Sequence, residues 1–450
     1  MMEQGSNKNK MYCLITQANS VVVEVAVDSK AIGQECLERV CEYLGISKES
    51  DYFGLKYTVN KGEELWLNLR NPIETQKGAR THNSQPRFAL RVKFWVPPHL
   101  LLQEKTRHQF YLHAKLDLIE KRLIAPDWNV VARLIAHIAQ AENGDYDPQH
   151  PPLHVYQQCM SITKMDPDDK PADLLKRAIA IHRSLAGMKA STAEYWLLHQ
   201  VATLEGFGQE IFAGAMGTIL GVGPHGISVY AKDADKQVIP FTAIQNAKAI
   251  KRNFKLTYVG QDNIEHSLDM KFASIHCASS LYRAITEKHA FYSCETVRSA
   301  VTAQFVRDLK GTIVSIFNED SSLGKNYVFD IRRTCREVYD DARRALYSES
   351  IGMTIPMADS DMDENRTCNG SNCKESQKYA RLLDAMTCCI CMDAAIDALF
   401  QPCRHAIACL TCAEQCERCP FCRANISEAQ RIYFQGEVSA AAAQRAAAQP

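Results

Sequence analysis

The feature that most constrains this chain is a dense run of cysteines near its C-terminus. Nine of the 18 cysteines fall within residues 388–422, and the other nine are scattered over the preceding residues. Disulfide scaffolds are small and evenly cross-linked, whereas clustered Cys-x-x-Cys pairs are typical of metal sites. The cluster therefore predicts zinc bound by thiolates.

The spacing within the cluster predicts two zinc ions. Zinc takes four ligands in a tetrahedron, and each Cys-x-x-Cys turn supplies two thiolates from one loop. The eight candidate ligands are Cys388, Cys391, Cys403, His405, Cys409, Cys412, Cys419 and Cys422. If the last ligand pair were Cys416 and Cys419, Cys422 would be left without a zinc ion to bind. We therefore prefer Cys419 with Cys422, although the other pairing stays open. Cys389 and Cys416 are then packing or surface thiols.

Length and charge limit the domain count and the partners. A chain of 450 residues is too long for one core and suits three or four domains. Lys and Arg together number 52, as do Asp and Glu, so the chain has no net positive charge that would attract nucleic acid. No apolar run reaches 18 residues, and residues 1–10 lack the apolar core of a secretory signal. We therefore expect a cytoplasmic protein without a nucleic-acid partner.

Hydrophobic periodicity predicts a multidomain α+β chain. Residues 11–96 read as a hairpin, a helix and further strands, and residues 99–205 read as helices. Strands return from residue 207, and a helix over 274–291 closes them. Apolar residues at helical spacing over 328–346 predict an extension packed on this third region. A polar linker and a short helix over 379–386 would then lead into the cysteines.

Short motifs in these regions resemble those of FERM domains. They are Asp51-Tyr52-Phe53-Gly54-Leu55, Val92-Lys93-Phe94-Trp95, Thr106-Arg107-His108-Gln109-Phe110-Tyr111-Leu112, Gly144-Asp145-Tyr146, Leu220-Gly221-Val222-Gly223 with Gly226-Ile227, and His289-Ala290-Phe291-Tyr292. The resemblance implies a ubiquitin-like lobe over 11–96, a helical lobe over 97–205 and a pleckstrin-homology-like lobe over 206–297. A helical extension over 298–347 and a linker over 348–378 would follow.

The eight-ligand register resembles the RING finger, here placed at 379–436 ahead of a low-complexity tail over 437–450. The resemblance implies a cross-brace in which the first and third ligand pairs hold one zinc and the second and fourth hold the other. Closed four-ligand sites leave no position for water, so the metals would hold loops. The resemblance further implies that Ile390, Pro420 and Arg423 contact a ubiquitin-conjugating enzyme, with Arg423 bridging that enzyme and its ubiquitin. Ordinary packing of Ile390 and Pro420, and a solvated Arg423, are the alternatives.

The resemblance also implies surfaces for other partners. Pleckstrin-homology-like lobes bind extended peptides beside their closing helix, and the implied substrate groove consists of Ile244, Lys248, Ile250, Ser280 and Arg283. Basic residues near this groove could meet acidic membrane lipid, although a solvated edge is the more frequent role of such residues. Tails after similar fingers form homodimers through Ile432 and Phe434 in this numbering, and packing on the same finger is an equally good alternative.

A FERM region followed by a RING finger resembles ubiquitin ligases that act on lipoprotein receptors. The resemblance implies receptor cytoplasmic tails as substrates, leading to their degradation, myosin regulatory light chain as a further candidate partner, and a peripheral position at the plasma membrane. One alternative is a membrane–cytoskeleton adaptor whose finger serves only for dimerisation. Another is a thiol enzyme using Cys389 or Cys416, but no His and acid pair is placed to activate either thiol.

Overall fold

The structure is a computed structural model of the chain. It describes residues 10–59, 62–76, 85–159, 171–215, 217–230, 236–260, 262–294, 331–352, 387–392 and 394–432. The short helix predicted over 379–386, Phe434 and the low-complexity tail lie outside these residues. Within them, no helix is both long enough and apolar enough to cross a membrane.

The first lobe is a five-stranded sheet covered by one helix. Its elements are β1 (Lys10–Thr16), β2 (Val22–Asp28), α1 (Gly33–Leu44), β3 (Phe53–Thr58), β4 (Glu64–Trp66) and β5 (Arg87–Val92), with the strands in the order β2-β1-β5-β3-β4. β1 and β2 form an antiparallel hairpin, and β1 runs parallel to β5. Gly45, in the left-handed conformation with φ of 70°, ends α1. The predicted hairpin and helix are confirmed.

The described residues of the second lobe form a bundle of five helices. They are α2 (Glu104–Ile119), α3 (Trp128–Asn143), α4 (Leu153–Cys159), α5 (Pro171–Ser184) and α6 (Ala190–Val201). The start of α2 is held by the first lobe. The Glu49 carboxylate accepts hydrogen bonds from the amides of Leu102 (2.8 Å) and Gln103 (3.0 Å) just before the helix.

The third lobe is a pair of small sheets closed by a long helix. Its elements are β6 (Glu210–Ala213), β7 (Ile219–Gly223), β8 (Gly226–Tyr230), β9 (Gln237–Ile239), β10 (Ile244–Ile250), β11 (Asn253–Val259), β12 (Glu265–Lys271) and α7 (Ile275–Ser293). β6 to β9 form one antiparallel sheet, and β10 to β12 form the other. Apolar residues of both sheets and of α7 share one core. The predicted barrel-like lobe with a C-terminal helix is confirmed.

A buried ion pair joins the first lobe to the third. Lys93 Nζ lies 2.7 Å from Glu287 Oε2, and the two side chains are 6% and 2% exposed. Arg283 Nε lies 2.9 Å from the other oxygen of Glu287. Phe94 stacks on Phe291 beside the pair, with ring centroids 4.1 Å apart. The lobes therefore pack as one unit around shared apolar and charged contacts.

The described part of the extension, from residue 331, packs against the first lobe, whereas the sequence predicted packing on the third. Its helix is α8 (Cys335–Gly352). Arg333 lies 2.6 Å from Asp51, and the neighbouring Arg332 lies 2.6 Å from Glu38 of α1. Val338 of α8 is buried in the core that the first lobe shares with the second. An apolar stripe shows that a helix is buried, but it does not identify the neighbour.

The C-terminal unit, called the finger below, comprises the described residues from 387 to 432. It contains the short elements β13 (Ala398–Gln401), α9 (Leu410–Ala413) and β14 (Glu428–Arg431), and β13 pairs antiparallel with β14. Most of its backbone is loop, and a unit of this size cannot form a large apolar core, so other side-chain interactions must hold it together.

Candidate metal centre

The structure brings all eight predicted ligands together in two groups of four. One group is Cys388, Cys391, Cys409 and Cys412, and the other is Cys403, His405, Cys419 and Cys422. Within each group the ligand atoms all lie within 4.8 Å of one another.

Both groups have the donor set and the spacing that zinc requires. Cys391 Sγ lies 4.0 Å from Cys409 Sγ in the first, and Cys419 Sγ lies 3.8 Å from His405 Nδ1 in the second. Tetrahedral zinc with Zn–S bonds of about 2.3 Å places its ligand atoms roughly 3.8 Å apart. The residues therefore fit two zinc ions, as predicted, in the alternating order of a cross-brace.

The loops that carry the ligands turn tightly around each site. Met392, Arg404 and Arg423 each follow directly after a ligand, and each has a positive φ, between 55° and 61°. The Sγ atoms of Cys388 and Cys391 accept hydrogen bonds from the amides of Ile390 and Ala394, both at 3.4 Å. Such amide contacts stabilise negative charge on a ligating thiolate.

One carboxylate helps to hold the finger closed. Asp397 accepts a hydrogen bond from the amide of Leu410 (2.6 Å) and forms an ion pair with Arg431 (3.3 Å). The Asp397 carbonyl accepts a hydrogen bond from the amide of Ile432 (2.8 Å). Ile432, the first residue of the predicted dimer pair, is half-buried. The homodimer remains a prediction.

The surplus thiols lie outside both groups. Cys416 Sγ donates to the carbonyl of Cys412 (3.3 Å). Burial raises the pKa of Cys389 and that of Cys416 to about 12. Both stay protonated near neutral pH, and a protonated thiol is a poor nucleophile. These environments disfavour a thiol enzyme.

The residues expected to contact a conjugating enzyme differ in exposure. Ile390 is 0% exposed, Pro420 is also buried, and Arg423 is exposed. Ile390 shares its apolar cluster with Tyr195 and Trp196 of α6 in the second lobe. The finger therefore lies against the helical lobe at this point.

The sequence did not reveal the residues of the second lobe that hold the finger. Arg107 of α2 is 0% exposed, and its Nη1 and Nη2 donate to the carbonyls of Ile390 (2.7 Å) and Cys389 (2.8 Å). Its guanidinium carbon lies 5.1 Å from the centroid of the Tyr195 ring. The Ser191 hydroxyl donates to the carbonyl of Cys391 (3.4 Å). A buried arginine on a helix has no local sequence signal, because its acceptors are almost 300 residues away.

The five predicted groove residues differ in exposure. Ile244 is buried in the core, whereas Lys248 and Ile250 are exposed on β10, and Ser280 is half-buried on α7. Arg283 forms an ion pair with Glu287 at the contact with the first lobe and keeps 23% of its side chain exposed. Within the described sheet, β10 is an edge strand, and the groove remains a prediction.

Family comparisons agree with the fold and the ligand pattern. Residues 15–78 match the FERM N-terminal domain, residues 96–212 match the FERM central domain, and residues 384–429 match the zinc finger of C3HC4 type (RING finger). The chain therefore contains FERM N-terminal and central domains followed by a C3HC4-type RING finger.

Individual relatives share parts of the chain. Protein 4.1 of Canis lupus familiaris is 27% identical over 303 residues, which are 66% of this chain and 36% of that protein. Tyrosine-protein phosphatase non-receptor type 14 of Mus musculus is 31% identical over 208 residues, 46% of this chain and 17% of that protein. The chain thus spans less than half the length of these relatives.

A solved structure shows the same fold. The FERM and C-terminal domain complex of Drosophila Merlin matches with a TM-score of 0.53 and 18% identity, covering 63% of this chain and 96% of that chain. The FERM fold of the first three lobes is therefore confirmed.

Proposed function

We propose that this chain is a RING-type ubiquitin ligase whose FERM region recruits the substrate. The observation that carries the proposal is the pair of four-ligand groups in C3HC4 order, with Ile390, Pro420 and Arg423 beside the ligands. The zinc ions would be structural, because each closed site leaves no position for a reacting water.

In this proposal the finger accelerates transfer by positioning. It docks a conjugating enzyme loaded with ubiquitin, and Arg423 contacts both so that the thioester is held ready for a substrate lysine. The lysine attacks the thioester carbonyl and displaces the thiol of the conjugating enzyme, so no covalent intermediate forms on this chain. Restricting the reactants to a productive geometry lowers the entropic part of the barrier.

We further propose that the FERM region selects the cytoplasmic tail of a receptor. A free strand edge such as that of β10 can take an extended peptide as an added strand. The order of a FERM region and then a RING finger resembles the myosin regulatory light chain interacting protein, the inducible degrader of the low-density lipoprotein receptor. That resemblance supports lipoprotein-receptor tails as substrates, degradation as the outcome, myosin regulatory light chain as a partner, and a cytoplasmic, peripheral position at the plasma membrane.

A second candidate is a membrane–cytoskeleton adaptor, which the similarity to Protein 4.1 favours. One experiment separates the two. The full chain is incubated with ubiquitin, activating enzyme, ATP and a panel of conjugating enzymes, with a lipoprotein-receptor tail fused to a lysine-bearing carrier as substrate. A ligase modifies the tail more than the carrier alone, whereas an adaptor transfers no ubiquitin with any member of the panel.

A further inference from the structure

The contact between the finger and the second lobe involves the surface that the proposed ligase needs. Ile390, the apolar residue expected to meet a conjugating enzyme, is fully buried. It lies in one cluster with the rings of Tyr195 and Trp196. The same atoms of Ile390 cannot contact the second lobe and a conjugating enzyme at once.

Arg107 fixes the first zinc loop in this position. Its two terminal nitrogens donate to adjacent carbonyls, those of Cys389 and Ile390. A guanidinium that bridges two acceptors defines both position and orientation, and each bond from a charged donor is stronger than a neutral one. The second lobe therefore holds the backbone on either side of the docking residue.

The contact also buries polar atoms of the second lobe. Arg107 Nε, Tyr195 Oη and Trp196 Nε1 are buried without a hydrogen-bond partner among the described residues. A buried polar atom without a partner weakens an interface, because it has lost water and gained nothing. Opening of the contact would return these three atoms to water.

We propose that the face of the second lobe formed by Arg107, Ser191, Tyr195 and Trp196 is an internal inhibitory site for the finger. It covers Ile390 and excludes the conjugating enzyme until the finger is released. This inference rests on the proposed ligase function. The apparent affinity for the enzyme is then the intrinsic affinity multiplied by the fraction of molecules in which the contact is open.

The test opens the contact without changing any residue of the finger. Arg107→Met removes both hydrogen bonds and keeps most of the side-chain volume. Ser191→Arg is the second variant, since a long side chain at this half-buried contact fits the free lobe but not the docked finger. The control is Arg177→Met, which removes a guanidinium of the same lobe that donates to Asn129. Circular dichroism and zinc content confirm that each full-length variant is folded.

Three measurements decide the outcome. We expect both opened variants to bind an unloaded conjugating enzyme, and to transfer ubiquitin, at least tenfold better than the parent, with faster amide exchange at residues 389–391. The control should match the parent in all three. Equal transfer by the parent and both opened variants would overturn the inference and leave the ligase function intact. No transfer by any of them would overturn the ligase function and this inference together.

Discussion

The buried pair between the first and third lobes allows a prediction of stability. Lys93→Met leaves Glu287 as a charge in a site that is 2% exposed, with Arg283 still 2.9 Å away. Cutting a buried ion pair costs roughly 3–5 kcal/mol, and the remaining Arg283 contact points to the lower end, about 3 kcal/mol. Met keeps apolar contact with the ring of Trp66, whose centroid lies 5.5 Å from Lys93 Nζ.

A double-mutant cycle isolates the charge term from lost packing. Adding Glu287→Leu to Lys93→Met removes the uncompensated charge, and Arg283, which is 23% exposed, can turn to solvent. The double variant should therefore be more stable than Lys93→Met by at least about 1 kcal/mol. Lys255→Met is the matched control, because its ion pair with Asp269 is exposed and should change stability by less than about 0.5 kcal/mol.

The assay is urea unfolding of the full chain at pH 7, followed by tryptophan fluorescence, with midpoint shifts compared at a common slope. The reasoning is refuted if Lys93→Met loses less than about 1 kcal/mol. It is also refuted if the double variant is less stable than Lys93→Met, because the charge would then not be the source of the loss.

Three further predictions concern the finger and one buried lysine. Cys403→Ser should unfold the finger, because structural zinc supplies roughly 10–16 kcal/mol of apparent binding energy. Atomic absorption should then find one zinc ion or fewer per chain. Two retained ions would contradict the ligand assignment. In the opened Arg107→Met background, Ile390→Ala should weaken binding of a conjugating enzyme about thirtyfold. Arg423→Ala should keep that affinity and slow ubiquitin discharge. Unchanged binding in the first variant, or unchanged discharge in the second, would refute the role of that residue. Burial lowers the pKa of Lys288 to about 8, below the unfolded value of about 10.4. The unfolding free energy of the parent relative to Lys288→Met should therefore rise between pH 8 and 10 and stay flat below pH 8. If urea unfolding gave the same pH dependence of stability for both proteins, the amine would titrate normally.

Local patterns predicted those parts of the fold whose partners lie nearby in sequence. The hairpin over 11–27 and α1 follow from alternation and helical spacing, and the eight ligands follow from loop geometry that zinc itself imposes. β12 (Glu265–Lys271) was not predicted, because its residues are mostly polar and it forms by pairing with β11. Its strand conformation is set by tertiary contact instead of propensity.

Long-range contacts could not be predicted from the sequence. The start of α2 depends on Glu49, the position of α8 depends on ion pairs with α1 and Asp51, and the burial of Ile390 depends on Arg107. In each case a charged group finds its partner only after the lobes assemble. A charged residue in a helical pattern is more often solvated, so the pattern alone favours the wrong environment.

Helix α2 touches both the first lobe and the finger. The ring of Phe110 lies against Tyr52 of the first lobe, with centroids 5.8 Å apart, and His113 Nε2 lies 3.0 Å from the carbonyl of Leu90. One turn before Phe110 on the same helix, Arg107 holds the finger. Hydrogen bonds of 2.7–2.8 Å tolerate only a few tenths of an ångström of displacement. A ligand that shifts the ubiquitin-like lobe would therefore loosen a zinc loop that it never touches, and substitutions around Tyr52 belong in any search for variants with altered ubiquitin transfer.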